Sequence, residues 1–311
     1  MISIISPVFN EELNVENCAA RLRDVMHLQC PGIAYEHIFA DNCSTDSTVD
    51  ILRSMAAVDS NIKVIVNSRN VGPFRNMWNA LKSTSGSAVI PFLPADLQDP
   101  VEVIPKFIEG WNEGYLVVYG VRRNRQENLP MRIARNVYYR IISKFSEAEI
   151  PKNVGEFLIA DRKVINSILE VDDAYPYIRG LIAQSGIRAK QIEYTWKKRE
   201  NGKSKLNLFH LVDQAINGFV STSRIPARIA LILGFISSFV GIAGAFITLA
   251  LIAFGNQEIT PGIPTIIVSI FFFAGLQLLF LGVIGEYVLS IHGQVRRTPP
   301  MFEVERINFP S

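Results

Sequence analysis

Short apolar runs rich in β-branched residues recur through the first third of the chain, and each closes in a polar cluster. By that pattern residues 2–6, 35–40, 62–66 and 115–119, and the run that starts at Ala88, read as strands. Between them lie stretches of helical length, the first running to about Leu28. Strands alternating with helices predict an α/β fold built on a doubly wound, mainly parallel sheet. In such sheets ligands occupy the crevice outside the carboxyl ends of the strands.

The clusters at those ends carry the candidate chemistry. Asp96 and Gln98 follow the run from Ala88; two apart, they share one side of the chain if its backbone is extended. A carboxylate with an amide oxygen suits a hard cation such as Mg²⁺ or Mn²⁺, which completes its shell with water and phosphates. The plainer reading is an acidic turn before a helix opened by Pro100 and Glu102. Ser44 or Thr45 is placed to cap the helix after the second strand, with Asp46 in its first turn. Residues 122–145 are basic, and Arg132, Arg135 and Tyr139 fall at helical spacing. Such a face is either solvated or a seat for an anionic head group. Glu156 follows a glycine in a strand-like segment, where it is a surface carboxylate or a site group. Residues 199–205 form a basic, glycine-containing loop, and 206–220 an amphipathic helix fit to pack on the domain or lie along a bilayer.

The last third changes the picture most. Residues 229–254 carry no charge, nor do 259–285. A helix of about 26 residues spans roughly 39 Å, more than the ~30 Å hydrocarbon layer. Two membrane helices are therefore expected. Arg224 and Arg228 precede the first, Arg296 and Arg297 follow the second, and the short connection has no Lys or Arg. By the positive-inside rule both termini and the N-terminal domain face the cytoplasm. The division expected is a globular domain at 1–205, an interfacial helix at 206–224, a membrane hairpin at 225–291 and a tail at 292–311.

Composition narrows the partners. At 311 residues and a formal net charge of +2, nothing points to nucleic acid. Cys18, Cys30 and Cys43 lack the spacing of a zinc site or a disulfide framework and read as reduced thiols.

Taken in order, six motifs resemble family 2 glycosyltransferases of the GT-A fold, in their polyprenyl-phosphate branch. They are Pro7-Val-Phe-Asn-Glu-Glu12, Asp41-Asn-Cys-Ser-Thr-Asp46, Arg69-Asn-Val-Gly72, Ala95-Asp-Leu-Gln-Asp-Pro100, Asn153-Val-Gly-Glu-Phe157 and the Arg199 to Lys205 loop. Gly282-Val-Ile-Gly-Glu-Tyr287, at the end of the second apolar run, is similar to the bactoprenol glucosyltransferases in particular. The resemblance implies inverting, metal-dependent transfer of one sugar, glucose or another hexose, from a UDP-sugar to a polyprenyl phosphate such as undecaprenyl phosphate. It implies that Pro7, Phe9, Glu11 and Asp41 hold base and ribose, and that Asp96 and Gln98 hold Mg²⁺ or Mn²⁺ on the diphosphate. Arg122, Arg132, Arg199 and Lys205 then surround the phosphates, Arg135 is a further member of that set, and Glu156 orients the sugar or acts as base. Homo-oligomers through the membrane hairpin are in keeping with it. The sequence departs from the family at Pro94, where Asp-x-Asp has its first Asp, at Glu156 in place of Asp, and at Leu158, commonly Arg. A polysaccharide synthase shares the fold, but its Gln-x-x-Arg-Trp motif is absent. A non-catalytic nucleotide-sugar-binding protein is the other alternative.

Overall fold

The computed structural model describes residues 1–123, 153–171, 176–197, 232–237, 239, 243, 262–295 and 301–309. The chain divides into two compact units, Met1–Leu208 with Arg297–Ser311, and Phe209–Arg296.

The first unit is an eight-stranded mixed sheet. In chain order its strands are β1 (Ile2–Val8), β2 (Tyr35–Asp41), β3 (Ile62–Asn67), β4 (Ala88–Ile90), β5 (Val117–Arg123), β6 (Val154–Asp161), β7 (Ala189–Thr195) and β8 (Glu303–Ile307). Their order across the sheet is β7-β5-β6-β4-β1-β2-β3-β8. β1 pairs in parallel with both β2 and β4, β2 with β3, and β5 with β7. β6 runs against β4 and β5, and β8 against β3. The five sequence-derived strands are all present, with two reversed strands added to the parallel set. Strand order reverses at β1 and β4, the place where a crevice opens at the carboxyl ends.

Helices α1 (Val15–Gln29), α2 (Thr48–Val58), α3 (Pro73–Lys82), α4 (Ile104–Asn112), α5 (Arg162–Leu169) and α6 (Ile178–Gln184) cover the sheet. Alternation along each strand feeds two cores. Ile4, Leu22, Phe39, Leu52, Phe107 and Phe157 pack in one, and Ile5, Ile38, Ile65, Met77, Leu81 and Ile165 in the other. Local chemistry sets the helix starts. Gly72 takes φ 85°, a conformation closed to most side chains, just ahead of Pro73 at the start of α3. Asp161 closes β6 and caps α5 by accepting the Lys163 N–H at 2.9 Å.

β8 is the element that sequence reasoning left as a tail. Val64 pairs with Ile307 and Val66 with Glu305. Arg53 on α2 forks onto Glu305, Asn79 on α3 donates to Glu303, and the Asn308 amide reaches the carbonyls of Ala56 and Ile62. An otherwise open edge of β3 is thereby paired.

In the second unit, α7 (Ile263–Val295) is 33 residues long, about 50 Å at the α-helical rise. Its Phe272–Leu289 stretch is long and apolar enough to cross a bilayer, and none of it is buried. Residues 232–237 of the first apolar run are helical. Apart from residues 239 and 243, the rest of that run lies outside the described residues, as do the 206–220 segment and the basic run beyond Arg123.

Candidate active site

The carboxyl ends of β1, β2, β4, β5 and β7 and the amino end of β6 meet along one edge of the sheet. Among the described residues, four other than glycine take positive φ there: Asn10 (53°), Cys43 (65°), Leu97 (55°) and Asn153 (62°). Strained backbone gathered at one rim is a mark of a functional edge.

At the β1 and β2 ends, two loops are stapled together. Ser44 and Thr45 do not cap α2 as expected. The Ser44 hydroxyl instead accepts the Asn10 N–H at 2.8 Å, and the Thr45 N–H donates to the Asn10 amide oxygen at 2.7 Å. Asp46 takes over the capping role by accepting the Thr48 N–H at 3.0 Å. Pro7 and Phe9 are half-buried beside this staple. Glu11 opens α1: its carbonyl accepts the Val15 N–H and its carboxylate the Asn14 amide at 2.6 Å. Asp41 is wholly buried at the end of β2. One of its oxygens accepts the Ser44 N–H at 2.9 Å, while the other, Oδ1, has no partner. Burial raises its pKa, against the hydrogen bonds from Ser44 and Cys43. A buried carboxylate oxygen left without a donor is a seat for a ligand's hydroxyl or N–H. Asn42 ties the third loop in, donating to Asn70 at 2.8 Å and accepting the Val71 N–H at 2.9 Å.

The Asp96 loop is not extended. β4 ends at Ile90, and the Leu97 N–H turns back onto the Pro94 carbonyl at 3.0 Å with Leu97 left-handed. The expectation that strand alternation places Asp96 and Gln98 on one side therefore fails. What joins them is the turn, in which Asp96 Oδ1 accepts the Gln98 N–H at 3.2 Å. Among the described residues no group of three or more His, Cys, Asp or Glu could hold a metal ion. Asp99 is committed to Arg122 at 2.7 Å, so the candidate cation ligands of this loop are the Asp96 carboxylate and, by sequence, the Gln98 side chain. That pair fits a Mg²⁺-like ion held chiefly by a ligand's phosphates, and does not fit a cage made by protein alone.

On the β5 and β6 side, Arg122 sits in a buried network. Its Nε donates to Asp99 at 3.0 Å and its Nη2 at 2.7 Å, and Tyr194 donates to Asp99 at 2.5 Å. Burial works against the charge of Arg122, but the Asp99 carboxylate and Tyr194 outweigh it and raise its pKa. Glu156, only 9% exposed on β6, is no surface carboxylate. Burial raises its pKa, against the charges of Arg179 and Arg122. The Arg179 N–H donates to Glu156 at 3.2 Å and its guanidinium lies 3.8 Å from the carboxylate. Tyr177 accepts from Arg179 Nε at 2.9 Å. Leu158 belongs to the core, with no exposure.

Of the residues singled out in the sequence, the structure gathers Pro7, Phe9, Glu11, Asp41, Asp96, Gln98, Arg122 and Glu156 along this edge. Arg132, Arg135, Arg199 and Lys205 lie outside the described residues. Asp99, Arg179, Tyr177 and Tyr194 were missed. Asp99 stands within a quoted motif, yet its partner Tyr194 is 95 residues away, a pairing that no local pattern announces.

Comparison with known proteins places the chain in a family. Residues 3–169 match the family described as glycosyl transferase family 2. An uncharacterized glycosyltransferase of Synechocystis, sll0501, is 36% identical over 96% of this chain and 93% of its own length. The SfII prophage-derived bactoprenol glucosyl transferase of Shigella flexneri is 32% identical over 96% of both chains. Among solved structures, a mannosyltransferase of Pyrobaculum calidifontis in complex with GDP-Man and Mn²⁺ aligns at 16% identity and a TM-score of 0.49, over 96% of this chain and 88% of that one.

Proposed function

The chain belongs to glycosyl transferase family 2 and is a glycosyltransferase, and from that premise we propose that it transfers a single hexose from a UDP-sugar to polyprenyl phosphate at the cytoplasmic face of a membrane. The observation that carries this reading is α7. A helix whose Phe272–Leu289 stretch is mostly apolar, broken by Gln277 and, near its end, Glu286, and has no buried residue calls for lipid as its solvent. A transferase with a water-soluble donor gains from such an anchor when its acceptor cannot leave the bilayer. The glucosyl transferases among its relatives are named for bactoprenol, a lipid of that kind.

Connectivity supports a hairpin. β8 lies in the same sheet as β1 to β7, so the chain between β7 and β8 crosses any bilayer an even number of times. If α7 is one crossing, residues 229–254 are the natural other. The Phe280 ring comes within 3.6 Å of where a Cβ on Gly234 would stand, a contact in keeping with two helices packed closely.

At the sheet edge, Pro7, Phe9 and Glu11 frame the base and ribose, and the unpartnered oxygen of Asp41 accepts a donor hydrogen from them. Asp96 and Gln98 would hold Mg²⁺ or Mn²⁺, which when bound offsets charge on the leaving diphosphate. Arg122 does the same from the β5 side, and Arg132, Arg199 and Lys205 complete the basic surround. An acceptor phosphomonoester, with its second pKa near ~6, is largely dianionic at neutral pH. Its oxygen attacks the anomeric carbon as the bond to the diphosphate breaks; the nucleoside diphosphate leaves with the electron pair, and the configuration inverts. No strong base is required, so Glu156 orients sugar hydroxyls, and catalysis rests on alignment and charge.

The test is to incubate membranes holding the protein with labelled nucleotide sugars and extract with organic solvent. A lipid-linked monosaccharide is expected. A polymer, or product confined to the aqueous phase, overturns the acceptor assignment.

A further inference from the structure

Arg122 is held in a way that its own charge does not explain. Its guanidinium is gripped on one side by both oxygens of Asp99, at 3.0 and 2.7 Å. Tyr194, on β7, donates to the same carboxylate and accepts from Arg122 Nε at 3.1 Å. The Trp196 ring lies 5.8 Å from the guanidinium carbon. Against the opposite side lies Gly155, where a Cβ would come within 2.8 Å of Nη2 and 2.9 Å of Cζ. Only a residue without a side chain lets the guanidinium rest there, one position from Glu156. The same stretch of β7 runs on to Lys197, whose N–H donates to the Gln98 carbonyl at 3.0 Å. The end of β7 thus fastens the Asp96–Asp99 loop twice, once through backbone and once through Asp99.

We propose that Asp99 and Tyr194 are positioning residues, which fix the Arg122 guanidinium and the Asp96–Gln98 turn as one rigid unit. This rests on Arg122 and Asp96 serving the diphosphate as argued above. Asp99 is 1% exposed, and a buried ion pair of this kind contributes little net stability once its desolvation is counted. What it supplies is geometry. Asp99 holds Arg122 through its carboxylate and follows the Asp96–Gln98 turn directly in the chain, so it ties the two groups that must meet one leaving diphosphate. Neither Asp99 nor Tyr194 touches the reacting atoms.

The test uses the full-length protein and steady-state kinetics, with melting temperature measured alongside. Tyr194→Phe removes one hydroxyl and nothing else. It is expected to lower kcat about tenfold, the scale of a hydrogen bond to a charged group, with the donor KM unchanged and the melting temperature lower by only a few degrees. Asp99→Asn is expected to lower kcat about 100-fold, the scale of a misplacement of about 1 Å. The double variant is expected to be no slower than Asp99→Asn alone, because residues acting as a unit are not additive. Unchanged kcat in Tyr194→Phe, or losses that multiply in the double variant, overturn the proposal. The readout is release of nucleoside diphosphate with whatever acceptor the wild type uses. Failure of the lipid-acceptor reading would therefore appear separately, as a wild type that makes no organic-soluble product.

Discussion

Two buried carboxylates at opposite ends of β2 receive opposite treatment. Glu36, at the foot, accepts hydrogen bonds from Lys63 at 2.6 Å, from the Ser3 hydroxyl, and from the Ser85 N–H at 2.7 Å. Burial alone would raise its pKa, but these partners reverse the effect and lower it. Asp41, at the mouth, is as deeply buried, keeps one oxygen without a partner, and has its pKa raised by burial. The foot is satisfied for folding; the mouth is left short for a ligand. Ionisable groups held unfavourably in a crevice are a signature of function, and groups fully paired away from it are a signature of structure.

The largest effect that would break this contrast belongs to Asp96. Asp96→Asn is expected to reduce sugar transfer about 1,000-fold, the upper range for losing one electrostatic contact to developing charge, with no loss of melting temperature. Retained turnover would show that the turn is not part of the site. At the foot the outcome should invert. Glu36→Ala strands the half-buried Lys63 ammonium and is expected to remove about 3 kcal/mol of stability, measured by urea unfolding of the detergent-solubilised protein. The fraction that remains folded should turn over normally. A smaller effect is expected for Asp41→Asn: donor binding about tenfold weaker by calorimetry, as befits one charge-assisted hydrogen bond, with stability unchanged or raised. Should Asp41→Asn unfold the protein as readily as Glu36→Ala, the two ends of β2 are alike and the contrast fails.

The mouth was more legible in sequence than its construction. Alternating apolar runs and polar caps are local signals, so five strands and the polar clusters behind Asp41, Asp96 and Glu156 could be read directly. The apolar composition of α7 was equally plain. Three features escaped for physical reasons. Asp96 and Gln98 meet through a turn that depends on Leu97 being left-handed, a conformation disfavoured for leucine and paid for by the surrounding fold. β8 has the exposed, charge-rich alternation of an edge strand, and only its pairing with β3 near the other end of the chain makes it one. Glu156 was open to a surface reading because burial is decided by what packs on β6, and its partner Arg179 comes from a later helix.

Glu156 gives the finest way to sharpen the comparison, because it belongs to the mouth by position yet has a cationic partner as Glu36 does. Its pKa is raised on folding, so the folded state holds its proton more tightly than the unfolded chain does. The ionised carboxylate therefore costs stability at neutral pH, and that cost fades as pH falls through the folded-state pKa. Glu156→Gln removes the charge and keeps the shape. It is expected to raise the melting temperature slightly, by about 1–3 °C near pH 7, while slowing transfer. Melts of wild type and variant taken from about pH 7 down to about pH 4 should converge, since protonation makes the two side chains electrostatically alike. If instead the variant melts lower at pH 7, Arg179 satisfies Glu156 as fully as Lys63 satisfies Glu36. Glu156 would then be a structural carboxylate set among functional ones, and the orienting role would pass to its neighbours.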